Sequence, residues 1–221
     1  MKQPTLCYVT DRNSLPPTGE TDPAETLLEY IEQAARAGVD WIQLREKELE
    51  GRPLFALATE AIAASAAAMP DVKKRPRLLI NDRLDVAWSA HAGGVHLGEN
   101  SAPAANVTRW RNGAGRPDFL VGVSCHSLED AAKAAAAGAD YLFFGPVFAT
   151  PSKQAFGAPQ GLQKLEQVCR AISIPVLAIG GVDSQNARDC LLAGAAGMAA
   201  IRMFQQAPER VAAEISRIRG E

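Results

Sequence analysis

Polar and charged side chains follow several short apolar segments of the sequence. The clearest case is Gln-Leu-Arg-Glu-Lys at 43–47, where the apolar segment 41–45 ends. Because side chains alternate along an extended strand, Gln43, Arg45 and Lys47 point to the same side. Cations that face the interior of a protein need an anionic partner, since burying an unpaired charge is costly. The spacing therefore predicts an anion-binding site, and a solvated strand end paired with neighbouring glutamates is the alternative.

An amide and a carboxylate follow the next apolar segment, 77–81. Asn81 and Asp82 stand where such a pair often serves only as a helix cap. Beside the cations they become a candidate Mg²⁺ site, because Mg²⁺ is commonly bound by one or two carboxylates plus substrate phosphates. Glu99 follows the apolar segment 94–98 and is a second acid at a strand end.

Two later segments add a titratable ring and a group of hydroxyls. His126 follows the apolar segment 120–125. It is either a proton donor or acceptor or a histidine packed at a helix start. A loop then carries hydroxyls and a lysine suited to a phosphorylated substrate, namely Thr150, Ser152 and Lys153.

Glycines near the C-terminus indicate a second anion site. Gly180 ends the apolar segment 175–180, Gly181 follows it, and Arg202 ends the segment 197–202. In barrels of parallel strands, glycines after the seventh strand and backbone amides after the eighth form a recurrent phosphate site. Arg202 either adds a salt bridge to that phosphate or lies in an ordinary surface pair. The first anion site suits a pyrophosphate with a metal ion, and the second suits a monophosphate.

Eight short apolar segments alternate with eight helix-like segments, and these elements must position the polar residues. The expected strands are 6–10, 41–45, 77–81, 94–98, 120–125, 141–145, 175–180 and 197–202. The expected helices are 22–38, 52–69, 84–92, 102–112, 127–138, 162–172, 184–194 and 208–219. Apolar strands that alternate with helices indicate a parallel sheet covered by helices, in the α/β class. The count of eight favours one (β/α)8 barrel, a TIM barrel, over residues 1–221.

The composition argues against several classes of protein. The 221 residues include 23 basic and 25 acidic side chains, without the excess of Lys and Arg typical of nucleic-acid binding. The apolar segments are far shorter than the roughly 20 residues of a membrane span. The N-terminus lacks the pattern of a secretory signal. Four cysteines without a C-x-x-C pair predict reduced thiols in a cytoplasmic protein.

Eight motifs, in this order, resemble those of the thiamine phosphate synthase family, whose (β/α)8 members include the related thiazole tautomerases. The motifs lie at 8–12, 43–47, 80–83, 94–98, 124–127, 145–148, 150–153 and 178–182. The resemblance implies that hydroxymethylpyrimidine pyrophosphate condenses with a thiazole phosphate or its carboxylate, which yields thiamine phosphate and pyrophosphate. It also implies Mg²⁺ as cofactor and small molecules as binding partners, with no nucleic acid and no membrane.

The resemblance further implies a role for each site residue. The residues expected to bind the pyrophosphate are Gln43, Arg45, Lys47, Asn81 and Lys153. Asp82 is expected to bind Mg²⁺, and Ser124 to contact the pyrimidine. The residues expected around the thiazole phosphate are Thr150, Ser152, Gly181, Ile201 and Arg202. Catalysis is assigned to Arg45, Lys47, Ser124 and Lys153, and His126 is a further substrate-binding residue.

Two positions depart from the family's pattern. Ser101 stands in place of an aspartate that supplies a second Mg²⁺ ligand, so either Ser101 or Glu99 would complete the metal site. Arg202 stands in place of a small hydroxyl residue. Loss of a metal ligand also marks the tautomerases, which isomerise a thiazole phosphate carboxylate by proton transfer and have a histidine that matches His126. The alternatives to a synthase are a tautomerase and a non-catalytic protein that binds thiamine phosphate or its precursors.

Overall fold

Eight parallel strands form a closed barrel in the computed structural model of this protein. The structure describes residues 3–16, 22–150 and 158–221. Each strand pairs with the next, and the eighth closes on the first. The strands are β1 (Thr5–Val9), β2 (Trp41–Leu44), β3 (Arg77–Asn81), β4 (Gly94–Leu97), β5 (Leu120–Cys125), β6 (Tyr141–Phe144), β7 (Val176–Ile179) and β8 (Gly197–Ala200). This architecture confirms the (β/α)8 barrel expected from the sequence.

Helices alternate with the strands and cover the outside of the barrel. In the described ranges they are α1 (Pro23–Arg36), α2 (Gly51–Ala68), α3 (Leu84–Ser89), α4 (Ala104–Gly113), α5 (Leu128–Ala136), α6 (Gly161–Ala171), α7 (Ala187–Leu192), α8 (Arg202–Gln205) and α9 (Val211–Arg219). Short 3-10 turns lie at Arg12–Ser14 and Pro208–Arg210. None of the described helices is long and apolar enough to cross a membrane.

The helix ends carry the residues that helix termini require. The Ser127 hydroxyl accepts a hydrogen bond from the Asp130 backbone amide (3.0 Å) at the start of α5. Unpaired amides in a first helical turn need such an acceptor. Gly38 and Gly138 follow α1 and α5 with φ of +87° and +85°, a conformation that glycine adopts without steric cost. Both helices therefore end in the same kind of glycine turn before the next strand.

The end of β8 differs from the sequence prediction. The expected strand ran to Arg202, but β8 ends at Ala200, and Ile201 has helical dihedral angles (φ −99°, ψ −65°). The short helix α8 then places Phe204 against Tyr8, with ring centroids 5.0 Å apart. Burial of this aromatic pair favours the turn over continued strand, and a run of apolar residues does not distinguish the two.

Two apolar regions hold the barrel together. The larger lies between the strands and the helices, and the smaller fills the barrel interior with Cys7, Val9, Leu79, Tyr141, Phe143, Leu177 and Ala199. All four cysteines are free thiols. Burial raises the pKa of Cys125 to about 12, so this thiol beside the barrel mouth stays protonated.

The two halves of the barrel repeat one ion-pair arrangement at the amino ends of the strands. Before β2, the Asp40 carboxylate accepts hydrogen bonds from the Leu6 amide (2.7 Å) and from Arg219 of α9 (3.0 Å). Before β6, Asp140 accepts from a backbone amide of β5 (2.7 Å) and from Arg111 of α4 (2.5 Å). Each carboxylate thus joins a strand to a helix, Asp40 to β1 and α9, and Asp140 to β5 and α4.

Candidate active site

A cavity of about 1390 Å³ opens at the carboxyl ends of the strands. This is the end at which barrels of this fold carry their active sites. Its lining includes the predicted site residues Gln43, Arg45, Lys47, Asn81, Asp82, Glu99, Ser101, Ser124, His126, Thr150, Gly181, Ile201 and Arg202. Ser152 and Lys153 lie outside the described residues. The structure therefore brings the other thirteen to one cavity, while the role of each stays a prediction.

Arg45 and Lys47 supply positive charge on the β2 side of the cavity. Arg45 lowers the pKa of Lys47, burial adds to that effect, and Asp82 and Asp11 oppose it. Within the described residues, neither Arg45 nor Lys47 forms an ion pair, so the pairing with neighbouring glutamates considered for this strand end is not observed, while Lys47 is exposed. Two neighbouring cations that form no ion pair with the described residues are available to an anion.

Glu46 lies between these cations in sequence but serves a different purpose. Its buried carboxylate accepts hydrogen bonds from the Thr10 hydroxyl and from the Arg12 backbone amide (3.0 Å). Thr10 in turn accepts from the Arg45 backbone amide (3.0 Å). Burial raises the pKa of Glu46, and the hydrogen bond from Thr10 partly offsets this. Glu46 therefore ties the loop after β1 to the loop after β2 and fixes the backbone that carries Arg45.

Gln43 and Asn81 form an amide pair on the cavity floor. The Gln43 Nε2 donates to Asn81 Oδ1 at 2.9 Å. Gln43 is only 2% exposed, and its Oε1 has no hydrogen-bond partner among the described residues. A buried acceptor without a donor costs free energy unless a ligand or water supplies one. The pair is thus a polar surface that a ligand can complete.

The donor set for a metal ion centres on Asp82. Its carboxylate lines the cavity and has no hydrogen-bond or ion-pair partner in the described part of the chain. The Ser101 hydroxyl accepts a hydrogen bond from the Gly98 amide (2.7 Å), so it is engaged in the turn after β4. Across the described ranges, no group of three or more His, Cys, Asp and Glu side chains could hold a metal ion. These residues fit Mg²⁺ only if ligand phosphates and water complete its shell.

The turn after β7 and the start of α8 form another part of the cavity. Gly180 and Gly181 have φ of +91° and +67°. A Cβ at Gly181 would lie 2.7 Å from the Ala149 carbonyl oxygen, so only glycine allows this approach of the two loops. Arg202 is exposed on the cavity wall and forms no ion pair with the described residues. The surface pair considered for Arg202 is therefore not observed.

His126 lines the cavity, and a backbone carbonyl determines which of its ring nitrogens carries the proton. Its Nδ1 lies within hydrogen-bond distance of the Gly145 carbonyl oxygen. A carbonyl only accepts hydrogen bonds, so Nδ1 is the nitrogen that carries the proton. In the neutral ring, Nε2 then holds a lone pair that can accept a proton.

Ser124 is hydrogen-bonded to the buried His96, which is in turn hydrogen-bonded to the buried Tyr141, and the sequence motifs predicted no role for either. The His96 Nε2 lies 2.8 Å from the Ser124 hydroxyl, and the His96 Nδ1 lies 3.0 Å from the Tyr141 hydroxyl. Burial lowers the pKa of His96 to about 3, and Arg45 adds to the effect. Gly122 pairs with both His96 and Tyr141 in the sheet, and a Cβ there would lie 2.0 Å from the tyrosine ring. A glycine inside an apolar strand was the available signal for this packing.

Comparisons with known proteins show which family this chain resembles in sequence and fold. A family model described as thiamine monophosphate synthase matches residues 9–204. A Geobacter sulfurreducens protein, provisionally named a thiamine-phosphate synthase, is 45% identical over 207 residues, covering 93% of this chain and 88% of that protein. The thiamine-phosphate synthase of Methanoculleus marisnigri is 44% identical over 170 residues, covering 76% and 75%. A solved thiamine phosphate pyrophosphorylase from Pyrococcus furiosus has a TM-score of 0.76 and 29% identity, covering 98% and 94%.

Proposed function

This chain belongs to the thiamine monophosphate synthase family, and we propose that it joins hydroxymethylpyrimidine pyrophosphate to a thiazole phosphate or its carboxylate. The enzyme is a transferase of the thiamine-phosphate synthase type, with small-molecule substrates. One observation carries the proposal: Arg45 and Lys47, with no ion pair in the described residues, share a single cavity with the glycine turn at 180–181. One cavity thus offers sites for both a pyrophosphate and a monophosphate.

The cations act on the leaving group. In the proposed reaction the bond between the pyrimidine methylene carbon and the pyrophosphate oxygen breaks, and that carbon bonds to the thiazole nitrogen. When the thiazole phosphate carboxylate is the substrate, its carboxyl group leaves as carbon dioxide. Negative charge builds on the departing pyrophosphate, and Arg45 and Lys47 stabilise it from fixed positions. Glu46 and Thr10 hold the Arg45 backbone in place before the substrate arrives. No general base is required for the departure of pyrophosphate.

Mg²⁺ is the proposed cofactor, and Asp82 is the residue that would hold it. When bound, Mg²⁺ supplies positive charge to the pyrophosphate oxygens. Glu99 is a further carboxylate on the cavity lining, while the Ser101 hydroxyl already accepts from the Gly98 amide. We therefore expect Mg²⁺ to bind weakly to the free protein and more tightly when pyrophosphate is present. Calorimetric titration of Mg²⁺ with and without inorganic pyrophosphate measures this difference.

A thiazole tautomerase is the second candidate, and the tautomer of His126 favours it. The Gly145 carbonyl holds the proton on Nδ1, which leaves Nε2 able to take a proton from a ligand. Replacement of His126 by Asn would then abolish isomerisation of the thiazole phosphate carboxylate. Unchanged isomerisation in that variant would exclude His126 as the acid or base.

One assay separates these candidates. Purified protein is incubated with the pyrimidine pyrophosphate, the thiazole phosphate carboxylate and a range of Mg²⁺ concentrations, and both thiamine phosphate and isomerised thiazole are followed. We expect thiamine phosphate from the parent and from Arg36→Ala, whose arginine is exposed on α1 and paired with Glu32. We expect Arg45→Ala to form thiamine phosphate about a thousandfold more slowly. Isomerised thiazole without thiamine phosphate would support the tautomerase, and tight product binding without turnover would support the non-catalytic protein.

A further inference from the structure

Three hydrogen-bonded side chains connect the barrel interior to the cavity, and we name them the Tyr141–His96–Ser124 column. Tyr141 and His96 are each 1% exposed, and Ser124 lines the cavity. Trp41 packs against the far side of Tyr141, with ring centroids 4.6 Å apart. The reaction proposed above uses neither His96 nor Tyr141.

The direction of the hydrogen bonds follows from the number of protons available. The hydroxyl of Tyr141 has one hydrogen-bond partner among the described residues, the His96 Nδ1 at 3.0 Å. If the Tyr141 hydroxyl did not donate its proton to this nitrogen, it would be a buried donor without an acceptor, which costs free energy. Tyr141 therefore donates to Nδ1. Because a neutral imidazole carries a single proton, that proton lies on Nε2 and is donated to Ser124.

Ser124 is consequently left with its own proton free for the cavity. Its oxygen already accepts from His96 Nε2 at 2.8 Å, and no described residue accepts the Ser124 hydroxyl proton. We propose that Tyr141 and His96 are positioning residues that fix Ser124 as a hydrogen-bond donor to a ring nitrogen of the pyrimidine substrate. This inference rests on the proposed function, which supplies a heteroaromatic ring whose nitrogens accept hydrogen bonds.

The two histidines of the site then have opposite tautomers. His96 carries its proton on Nε2, whereas His126 carries its proton on Nδ1 against the Gly145 carbonyl. The chain contains three histidines in all, and His91 is exposed. Nitrogen-15 NMR of the imidazole rings in the ligand-free protein distinguishes the tautomers, and His91→Gln and His126→Asn assign the signals. A proton on Nδ1 of His96 would overturn the proposal.

A matched pair of tyrosine variants tests the effect on the substrate. Tyr141→Phe removes the hydroxyl that donates to His96. Tyr8→Phe removes an equally buried hydroxyl that has no hydrogen-bond partner in the described residues. Calorimetry compares binding of the pyrimidine pyrophosphate with pyridine analogues, in each of which one ring nitrogen is replaced by C–H. In the parent we expect one analogue to bind about tenfold more weakly, which corresponds to one hydrogen bond.

The variants should change this discrimination in a defined order. We expect Ser124→Ala to abolish it, Tyr141→Phe to reduce it to about threefold, and Tyr8→Phe to leave it intact. His96→Gln retains an N–H near the position of Nε2 and should preserve part of it, whereas His96→Ala should not. Equal binding of the pyrimidine and both analogues by the parent, or full discrimination in Tyr141→Phe, would overturn the proposal.

The failure of this inference and the failure of the proposed function have different signatures. If the protein makes no thiamine phosphate, yet His96 is protonated on Nε2 and the discrimination follows the expected order, the proposed reaction is wrong and the column stands. If thiamine phosphate forms while His96 carries its proton on Nδ1, the column is wrong and the reaction stands.

Discussion

The two ends of the barrel use their charges in opposite ways. At the amino ends of the strands, Asp40 and Asp140 each pair with an arginine and a backbone amide. At the carboxyl ends, Arg45, Lys47 and Arg202 line a cavity and have no ion pair in the described ranges. Paired charges at the first end stabilise the folded barrel, whereas the unpaired cations at the second end add no such stability and are available to a ligand. The comparison predicts that mutations at the amino ends change the free energy of unfolding, whereas mutations at the carboxyl ends change the kinetic constants.

Arg45→Ala should produce the largest effect on activity and almost none on stability. Loss of one fixed donor to the leaving group is expected to lower kcat/KM about thousandfold. Because Arg45 has no ion pair among the described residues, the free energy of unfolding should change by less than about 0.5 kcal/mol. Steady-state kinetics and urea denaturation measure the two quantities. A large loss of stability would mean that Arg45 stabilises the fold, as Asp40 and Asp140 do, and would contradict this prediction.

His96 lies between the two ends and should make the protein sensitive to acid. Burial lowers its pKa to about 3, against an ordinary value of 6.5. The unfolded state therefore binds the proton first, so this contribution to stability is complete above pH 6.5 and is lost as pH falls towards 3. The linked change is roughly 4–5 kcal/mol. His96→Gln should remove this part of the pH dependence of urea denaturation, and an unaltered pH profile would contradict the assignment.

Asp140→Ala should destabilise the barrel and leave the chemistry intact. The substitution removes the acceptor for a backbone amide and for Arg111, which is largely buried, and we expect a loss of about 2–3 kcal/mol in unfolding free energy. Asp118→Ala is the matched control, because Asp118 is exposed and its pair with Arg116 should contribute less than about 0.5 kcal/mol. A kcat/KM reduced as strongly as in Arg45→Ala would contradict this separation of the two ends.

Arg202→Ser should give the smallest effect, and it tests whether this cation acts on the thiazole phosphate alone. The arginine is exposed, so its attraction for a phosphate is screened by solvent. We expect the KM for the thiazole phosphate to rise about fivefold at low salt, with kcat and the KM for the pyrimidine pyrophosphate unchanged. The difference should shrink in high salt. A lower KM in Arg202→Ser would show that the long side chain obstructs the phosphate.

The sequence predicts the scaffold more completely than the site, for physical reasons. The bounds of β3 and β5 match the expected segments residue for residue, because the buried centre of each strand is a short apolar run with polar residues beside it. The same rule misplaced the end of β8, where Ile201 continues the apolar run but enters a helical turn. Apolar composition reports burial, and it does not report the change in backbone dihedral angles that ends a strand.

Within the site, the sequence locates residues at strand ends but not the contacts among them. Arg45 and Asp82 were predictable because barrel geometry places every strand end at one rim. The engagement of Ser101 with the Gly98 amide, and the hydrogen bonds of His96, depend on distances between parts of the chain. No motif spacing encodes such distances, so these contacts become visible only in the folded structure.

The repeated carboxylates at the amino ends of the strands also bear on how the two halves of this barrel depend on each other. Asp40 joins the last helix to β1, and Asp140 joins α4 to β5, so the two lie at the seams between the halves of the ring. At each seam the arginine comes from one half of the ring and the aspartate from the other, as Arg219 with Asp40 and Arg111 with Asp140. Unfolding of either half alone therefore breaks both ion pairs, which couples the stability of the two halves.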